Sequence, residues 1–305
     1  MGIVEKTFRN GEVIVKEGDS GSSFFQLVDG TALVYAGFGK NDQIKLGTIE
    51  AGEYFGEMAI LEAYPRSATI VASGTVTAIE ITKDELEAFL AEDPNRIIDL
   101  MQHLGNRVWL MNNDYIDAQN LLKELRETDE EKKNSKSLFS SIKKHIDMYQ
   151  SNKNKLSEPE PENLAADFNA LNGKGMGKSK SYRRRMIIFD EGAPADCMYI
   201  LHSGTVCICK NRNTPDEIEL ATYEPVSIFG EIGMISEEVR SNAAVSVSDD
   251  TRVEIIYPED LVPIFEVCPE KINIILRHLS YRLRKLNTDF LKVCKEITEN
   301  YNKTK

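Results

Sequence analysis

Phe55-Gly56-Glu57-Met58-Ala59-Ile60-Leu61-Glu62-Ala63-Tyr64-Pro65-Arg66-Ser67-Ala68-Thr69 decides the fold, because the chain contains it twice. The second version reads Phe229-Gly230-Glu231-Ile232-Gly233-Met234-Ile235-Ser236-Glu237-Glu238-Val239-Arg240-Ser241-Asn242-Ala243. Each has a Gly-Glu pair, a short apolar segment able to form about one helical turn, and an Arg-Ser pair. Glu57 to Arg66 and Glu231 to Arg240 are the same nine-residue step. Outward from these stretches, Gly18 matches Gly192, Gly30 matches Gly204, Ile44 matches Ile218 and Gly56 matches Gly230, always at an offset of 174. One offset held that far means one fold built twice.

The residue types point to recognition of a small phosphate that carries a hydroxylated sugar. The start of a short helix offers unsatisfied backbone N–H groups to an anion. Gly56 and Ala59, like Gly230 and Gly233, let the backbone come close to such a ligand. Arg66 and Arg240 supply planar cations that can pair bidentately with phosphate oxygens. The carboxylates of Glu57 and Glu231 only accept hydrogen bonds, so they suit a sugar hydroxyl and repel phosphate. Ser67 and Ser241 add one hydroxyl donor each.

The pattern F-G-E-x-[AG]-x-[LI]…R-S resembles the phosphate-binding cassette of the cyclic-nucleotide-binding domain family, present here in two tandem copies. That family includes the catabolite activator protein, regulatory subunits of cyclic-AMP-dependent kinase and cyclic-nucleotide-gated channels. The resemblance implies that Glu57 and Glu231 hold the ribose 2′-hydroxyl while Arg66 and Arg240 neutralise the cyclic phosphate. Met58 and Ile232, next to the carboxylates, complete the expected ligand-binding set. It also places the base against the helix that follows each barrel, where Asn112 and Asn287 are the residues expected to read its edge. The ligand is expected to be cyclic AMP in preference to cyclic GMP, with no cofactor.

Composition bounds the classes. A chain of 305 residues can hold two domains. Its 41% hydrophobic and 28% charged content is that of soluble globular protein. A net charge of −12 opposes a nucleic-acid surface, so no direct DNA binding is expected. Five cysteines, all from Cys197 onward, form no disulfide framework and fit a reducing compartment. Cys207 and Cys209 alternate on one strand and are expected to share a face in the core. The four histidines make no metal pair. No apolar run reaches the length of a membrane span, and the N-terminus has no signal core. The expectation is a cytoplasmic protein without a membrane partner.

Residues 7–82 read as short strands with turn punctuation, with Asp29-Gly30 as a two-residue hairpin turn. The fold class expected is mainly β with helices: two jelly-roll β-barrels, each followed by a long helix. The first helix starts near Asp93-Pro94. It carries a heptad seam of Leu104, Val108, Met111, Tyr115, Ala118, Leu122 and Leu125. Leu279, Leu283, Leu286, Phe290, Val293 and Ile297 repeat that seam at an offset of 175. Domain 1 with its helix is expected over residues 1–126 and domain 2 with its helix over 182–305. The linker between them, 127–181, should hold one amphipathic helix marked by Phe139, Ile142, Ile146 and Tyr149. Gly173-Lys174-Gly175-Met176-Gly177-Lys178-Ser179 is one residue short of a nucleotide loop and lacks the preceding strand, so it reads as linker. Arg183-Arg184-Arg185 reads as a solvated strand end.

The functional expectation is a non-catalytic cyclic-nucleotide sensor in which ligand repositions the helices after the barrels. No nucleophile–base constellation points to an enzyme. The downstream protein partner is unknown. A tether of more than fifty residues favours pairing of the two helices within one chain, an intrachain pseudo-dimer, over a homodimer. Alternatives are a kinase regulatory subunit, a transcription regulator of the catabolite-activator family acting through a partner, and a ligand-free scaffold. The little chain ahead of the first barrel sets the kinase reading lower, and the little chain after the second helix does the same for DNA binding.

Overall fold

The computed structural model describes residues 4–40, 43–57, 66–127, 142–147, 149–150, 162–171, 173–175, 177–236 and 239–303. They divide into two compact units. The first draws on Met1–Phe89, Arg107–Glu160 and Ser280–Lys305, the second on Leu90–Asn106 and Pro161–Leu279.

In the first unit the strands are β1 (Val4–Phe8), β2 (Val13–Val15), β3 (Ser23–Ala36), β4 (Ile44–Glu50), β5 (Tyr54–Phe55) and β6 (Thr69–Thr82). Their antiparallel order is β1-β6-β3-β4, with β2 on β6 and β5 on β3. The hairpin expected at Asp29-Gly30 does not form. Asp29 pairs with Thr77 and Thr31 with Ser73, both on β6, so β3 runs through and bends at register shifts on either side of Asp29. Gly30 has φ +90°, and a Cβ there would meet the backbone of Thr75. A glycine in this conformation serves a bulge as readily as a hairpin turn. The bent pair wraps a core of Phe25, Leu27, Ala32, Phe55, Val76 and Ala78. Phe25 stacks on Phe55 at 5.2 Å.

The second unit builds the same barrel from two four-stranded antiparallel sheets. Its strands are β7 (Lys178–Tyr182), β8 (Ile187–Phe189), β9 (Met198–Ser203), β10 (Val206–Lys210), β11 (Ile218–Tyr223), β12 (Ser227–Phe229), β13 (Ala243–Ser246) and β14 (Thr251–Ile256). The sheets are ordered β11-β10-β13-β8 and β12-β9-β14-β7. Here the chain does break at Gly204, between β9 and β10. Tyr199 stacks on Phe229 at 5.2 Å, repeating the Phe25–Phe55 pair at the 174 offset. Cys207 and Cys209 share a face, since β10 pairs with β13 in unbroken register from Val206 to Cys209, but it is the face opposite Val206 and Ile208, which pack on the barrel core. Opposite them β11 bulges, with Leu220 left unpaired between Ala221 and Glu219; Cys209 is buried and Cys207 half-buried.

The helices are α1 (Leu86–Glu92), α2 (Asn95–Glu127), α3 (Leu164–Ala170), α4 (Glu231–Ser236), α5 (Leu261–Val267) and α6 (Pro269–Lys303). Within the first unit the distal parts of α2 and α6 bury a common apolar seam. Ala118, Leu122 and Leu125 meet Phe290, Val293, Cys294 and Ile297. Ile142, in the short helical stretch 142–147, closes the same cluster. Phe139 lies outside the described residues. Arg126 Nη2 donates to Glu296 Oε2 across the seam at 2.7 Å. Within the second unit, α3 and the chain just before it are tied down by Arg277 to Asp167 and His278 to Glu162, each at 2.6 Å. Gly175 serves the same purpose, its main-chain O accepting from Lys271 Nζ at 2.8 Å. Arg183-Arg184-Arg185 follows β7 and is exposed, and Arg185 takes φ +68° in the turn to β8.

Candidate ligand-binding cassettes

Each cassette begins with a glycine that no other residue could replace without strain. Gly56 has φ +81° and Gly230 φ +76°. A Cβ on Gly56 would lie 2.5 Å from Arg66 Nη1, and one on Gly230 2.9 Å from Arg240 Nη1. The glycines therefore clear space for the guanidinium as well as adopting left-handed backbone.

The two guanidiniums are anchored alike. Arg66 Nη1 donates to Gly56 O at 2.6 Å and its Nη2 to Ser23 O. Arg240 Nη1 donates to Gly230 O at 2.6 Å and its Nη2 to Cys197 O at 2.5 Å. Backbone bonds around them also repeat: Gly18 N to Arg66 O and Gly192 N to Arg240 O, then Arg66 N to Asp19 O and Arg240 N to Ala193 O. All four repeat at the offset of 174 residues. The same local sequence thus folds around each arginine, and the anchoring acceptors are backbone carbonyls, which do not cancel its charge.

Both arginines and both carboxylates are nearly sealed from solvent. Arg66 is 9% and Arg240 4% exposed, Glu57 1% and Glu231 0%. Burial is the largest influence on Arg66 and lowers its pKa, against the opposing pull of Glu57, Glu80 and Asp19. A cation in that state gains from a further anion. Arg240 stands over the Phe189 ring at 4.4 Å from its centroid and near Tyr199 at 5.6 Å. Its Nε is buried with no hydrogen-bond partner among the described residues.

The structure brings together Gly56, Glu57 and Arg66 in one cassette and Gly230, Glu231, Gly233 and Arg240 in the other. Met58 and Ala59 lie outside the described residues. Ile232 is half-buried, and the bare face of Gly233 abuts Ala195, where a Cβ would fall 2.7 Å from the alanine's own. Ser67 and Ser241 are exposed. Asn112 is exposed on α2, and Asn287 is half-buried on α6.

One partner escaped the sequence reading. Arg107, on α2, bonds Glu57 Oε1 through Nη1 at 2.5 Å. The helix after the barrel is thereby tied to the carboxylate expected to hold ribose. A signal existed, since Arg107 recurs as Arg282 at the offset of 175 that relates the two helices. Ser23 and Cys197 were also missed, because they act through main-chain oxygens that carry no residue-type signature.

The family model described as Cyclic nucleotide-binding domain matches residues 5–93 and 179–266. Over 102 residues the chain is 36% identical to a cGMP-dependent protein kinase of Eimeria tenella, covering 33% of this chain and 9% of that protein. Over 87 residues it is 41% identical to a cGMP-dependent protein kinase of Plasmodium berghei (strain Anka), covering 28% of this chain and 10% of that protein. The chain thus spans about a tenth of the length of these curated relatives. Among solved structures, the regulatory domain of Toxoplasma gondii PKA with cAMP aligns over 90% of this chain and 84% of its own, at 15% identity and TM-score 0.28. A second structure, of PKAR CBD2 with Sp-2Cl-cAMPS, aligns over 31% of this chain and 66% of its own, at 31% identity and TM-score 0.24.

Proposed function

We propose, from the premise that this chain belongs to the cyclic nucleotide-binding domain family through both of its barrels, that it is a non-catalytic sensor of cyclic AMP. Its two cassettes each take one nucleotide. The observation that carries this reading is the buried guanidinium beside a buried carboxylate, found twice with the same backbone anchors. Arg240 Nε is a buried donor still lacking an acceptor among the described residues, as a site awaiting a phosphate oxygen requires. Arg66 and Arg240 take the cyclic phosphate. Glu57 and Glu231 accept from the ribose hydroxyl, with Gly56, Met58, Ala59, Gly230, Ile232 and Gly233 lining the backbone approach. Ser67 and Ser241 contribute hydroxyls at the rim, and Asn112 and Asn287 meet the base.

The Glu57–Arg107 ion pair gives binding a route to the helix. A ribose hydroxyl drawn to Glu57 competes for the oxygen that holds Arg107, and α2 changes its placement. The chain works in the cytoplasm as a monomer, with α2 and α6 paired inside it. Calorimetric titration with cyclic AMP and cyclic GMP tests the reading: two equivalents of cyclic AMP bound more tightly than cyclic GMP support it, and no binding of either leaves a scaffold. Light scattering that gives a stable dimer at low micromolar concentration would overturn the monomer.

The identity to two cGMP-dependent kinases favours a second reading, in which the chain restrains a kinase catalytic domain and answers to cyclic GMP. A tenfold preference for cyclic GMP in the same titration would decide for it.

A further inference from the structure

Within the second unit lies a cavity of about 820 Å³ lined by none of the residues proposed to touch the nucleotide. Its size falls in the range of roughly 300–1,000 Å³ typical of small-molecule sites. One wall is the start of α2, through Ile98 and Met101. Its floor is Met234 and Ile235, on the helix α4 that begins with Glu231. The walls are tightly set. Gly105 packs so closely on this floor that a Cβ would sit 2.5 Å from Ile235 Cγ2.

Besides its apolar residues the lining holds the neutral polar side chains of Gln102 and Tyr257 and charged groups of one sign. Asp196 and Glu259 are its only charged residues among those described, and both are exposed. No lysine, arginine or histidine faces them from the described lining. Cys197, burial, and the carboxylates of Asp196, Glu259 and Asp260 together push Tyr257 up from its ordinary pKa. An apolar hollow with an acidic mouth rejects anions and gives a neutral apolar guest no use for its charges.

We infer that this cavity is a binding site for a small organic cation, an alkyl or aryl amine whose apolar body lies on Met101, Met234 and Ile235 and whose charge sits between Asp196 and Glu259. The occupant stands directly behind the second cassette, so the site adds an input other than nucleotide. A free small molecule fits better than a macromolecule, because the volume is that of a small-molecule site.

The test is calorimetric titration of the full chain, without nucleotide, using decyltrimethylammonium below its micelle concentration, with decyl sulfate and decanol as the other arms. The expected result is one equivalent of the cation bound and no binding of the sulfate. Asp196→Asn with Glu259→Gln should weaken the cation roughly two- to twentyfold, as two exposed charge contacts allow. Ile98→Trp fills the cavity from the helix side and should abolish binding. Val239→Trp does so from a residue 61% exposed, where the fold tolerates a larger side chain. Equal binding of cation and sulfate, no binding of the cation, or unchanged affinity in both tryptophan variants would each overturn the inference. Since no nucleotide is present, such a failure leaves the sensor reading untouched.

Discussion

Replacing Arg66 by leucine separates what the guanidinium does for the ligand from what it does for the fold. In the free protein the group spans two main-chain acceptors, Gly56 O at 2.6 Å and Ser23 O. Leucine leaves both carbonyls without that donor, at about 1–3 kcal/mol each when a buried group goes unmet. Against this, the fold no longer has to bury a cation whose pKa is already lowered by desolvation. The two effects oppose, so the folded state should lose no more than about 1–3 kcal/mol. With ligand bound there is no such offset. A buried phosphate that loses its only matching cation is left uncompensated, at about 3–5 kcal/mol. That is roughly two to four powers of ten in Kd. Calorimetry on Arg66→Leu should therefore show one equivalent of cyclic nucleotide in place of two, while the urea midpoint moves modestly. Arg240→Leu should give the converse, and the double variant none. Arg66→Lys keeps the charge but reaches only one of the two carbonyls, so its affinity should fall between. If Arg66→Leu still binds two equivalents with unchanged affinity, the phosphate does not sit on this residue and the reasoning fails.

Phe189→Val should weaken the second site two- to thirtyfold and leave the first unmoved, because the lost ring–cation contact is worth about 0.5–2 kcal/mol; separate titrations in Arg66→Leu and Arg240→Leu backgrounds read the two sites. Gly105→Ala would normally strengthen a helix by about 0.5–1 kcal/mol, yet here it should cost about 1–3 kcal/mol by overpacking on Ile235. In an Ile235→Ala background the same change should cost nothing, and a double-mutant cycle in urea reads the difference. Glu254 gives a pH signature. Burial opposes its ionisation, but bonds from His202, Lys271 and Gly177 outweigh it and hold the carboxyl below its ordinary 4.5. A depressed folded value means the stabilisation is complete above about 4.5 and disappears as pH falls through that lower value. Urea midpoints of wild type and Glu254→Gln should thus stand apart at neutral pH and converge in acid; a constant gap would refute it.

The cassettes and the duplicated barrel were legible because each is a local pattern repeated at a fixed spacing. The start of α2 just after Pro94 was legible for the same reason, since helix punctuation is local. Asp29-Gly30 was misread because positive φ at glycine is shared by hairpin turns and bulges. Which of them forms depends on whether β6 is long enough to pair past the bend. The second copy, with Gly204 at the same place, breaks there instead. The bulge at Leu220 likewise depends on how β11 meets β10 and leaves no local signal in the sequence. The Glu57–Arg107 pair joins residues fifty apart, and an arginine on a helix in a charged chain is unremarkable until the fold puts a buried carboxylate beside it.

The two arginines share every backbone anchor and differ in what surrounds them, and this asymmetry follows from two substitutions. Phe189 and Tyr199 in the second copy stand where the first has Val15 and Phe25. A valine offers no ring, so Arg240 has an aromatic face at 4.4 Å that the residue matched to it in the first copy cannot supply to Arg66. Arg66 feels Glu57, Glu80 and Asp19; the second copy keeps the first two as Glu231 and Glu254 but has Ala193 in place of Asp19. Carboxylates lower the cost of burying a cation, but they also compete with an incoming phosphate for it. A ring fixes the guanidinium plane through dispersion and its quadrupole and claims little of the charge. The second cassette should therefore be the better prepared for an anion, and the first should give up more existing interaction on binding one. Two sites cut from one pattern should therefore differ in affinity without any change in the residues proposed to touch the phosphate.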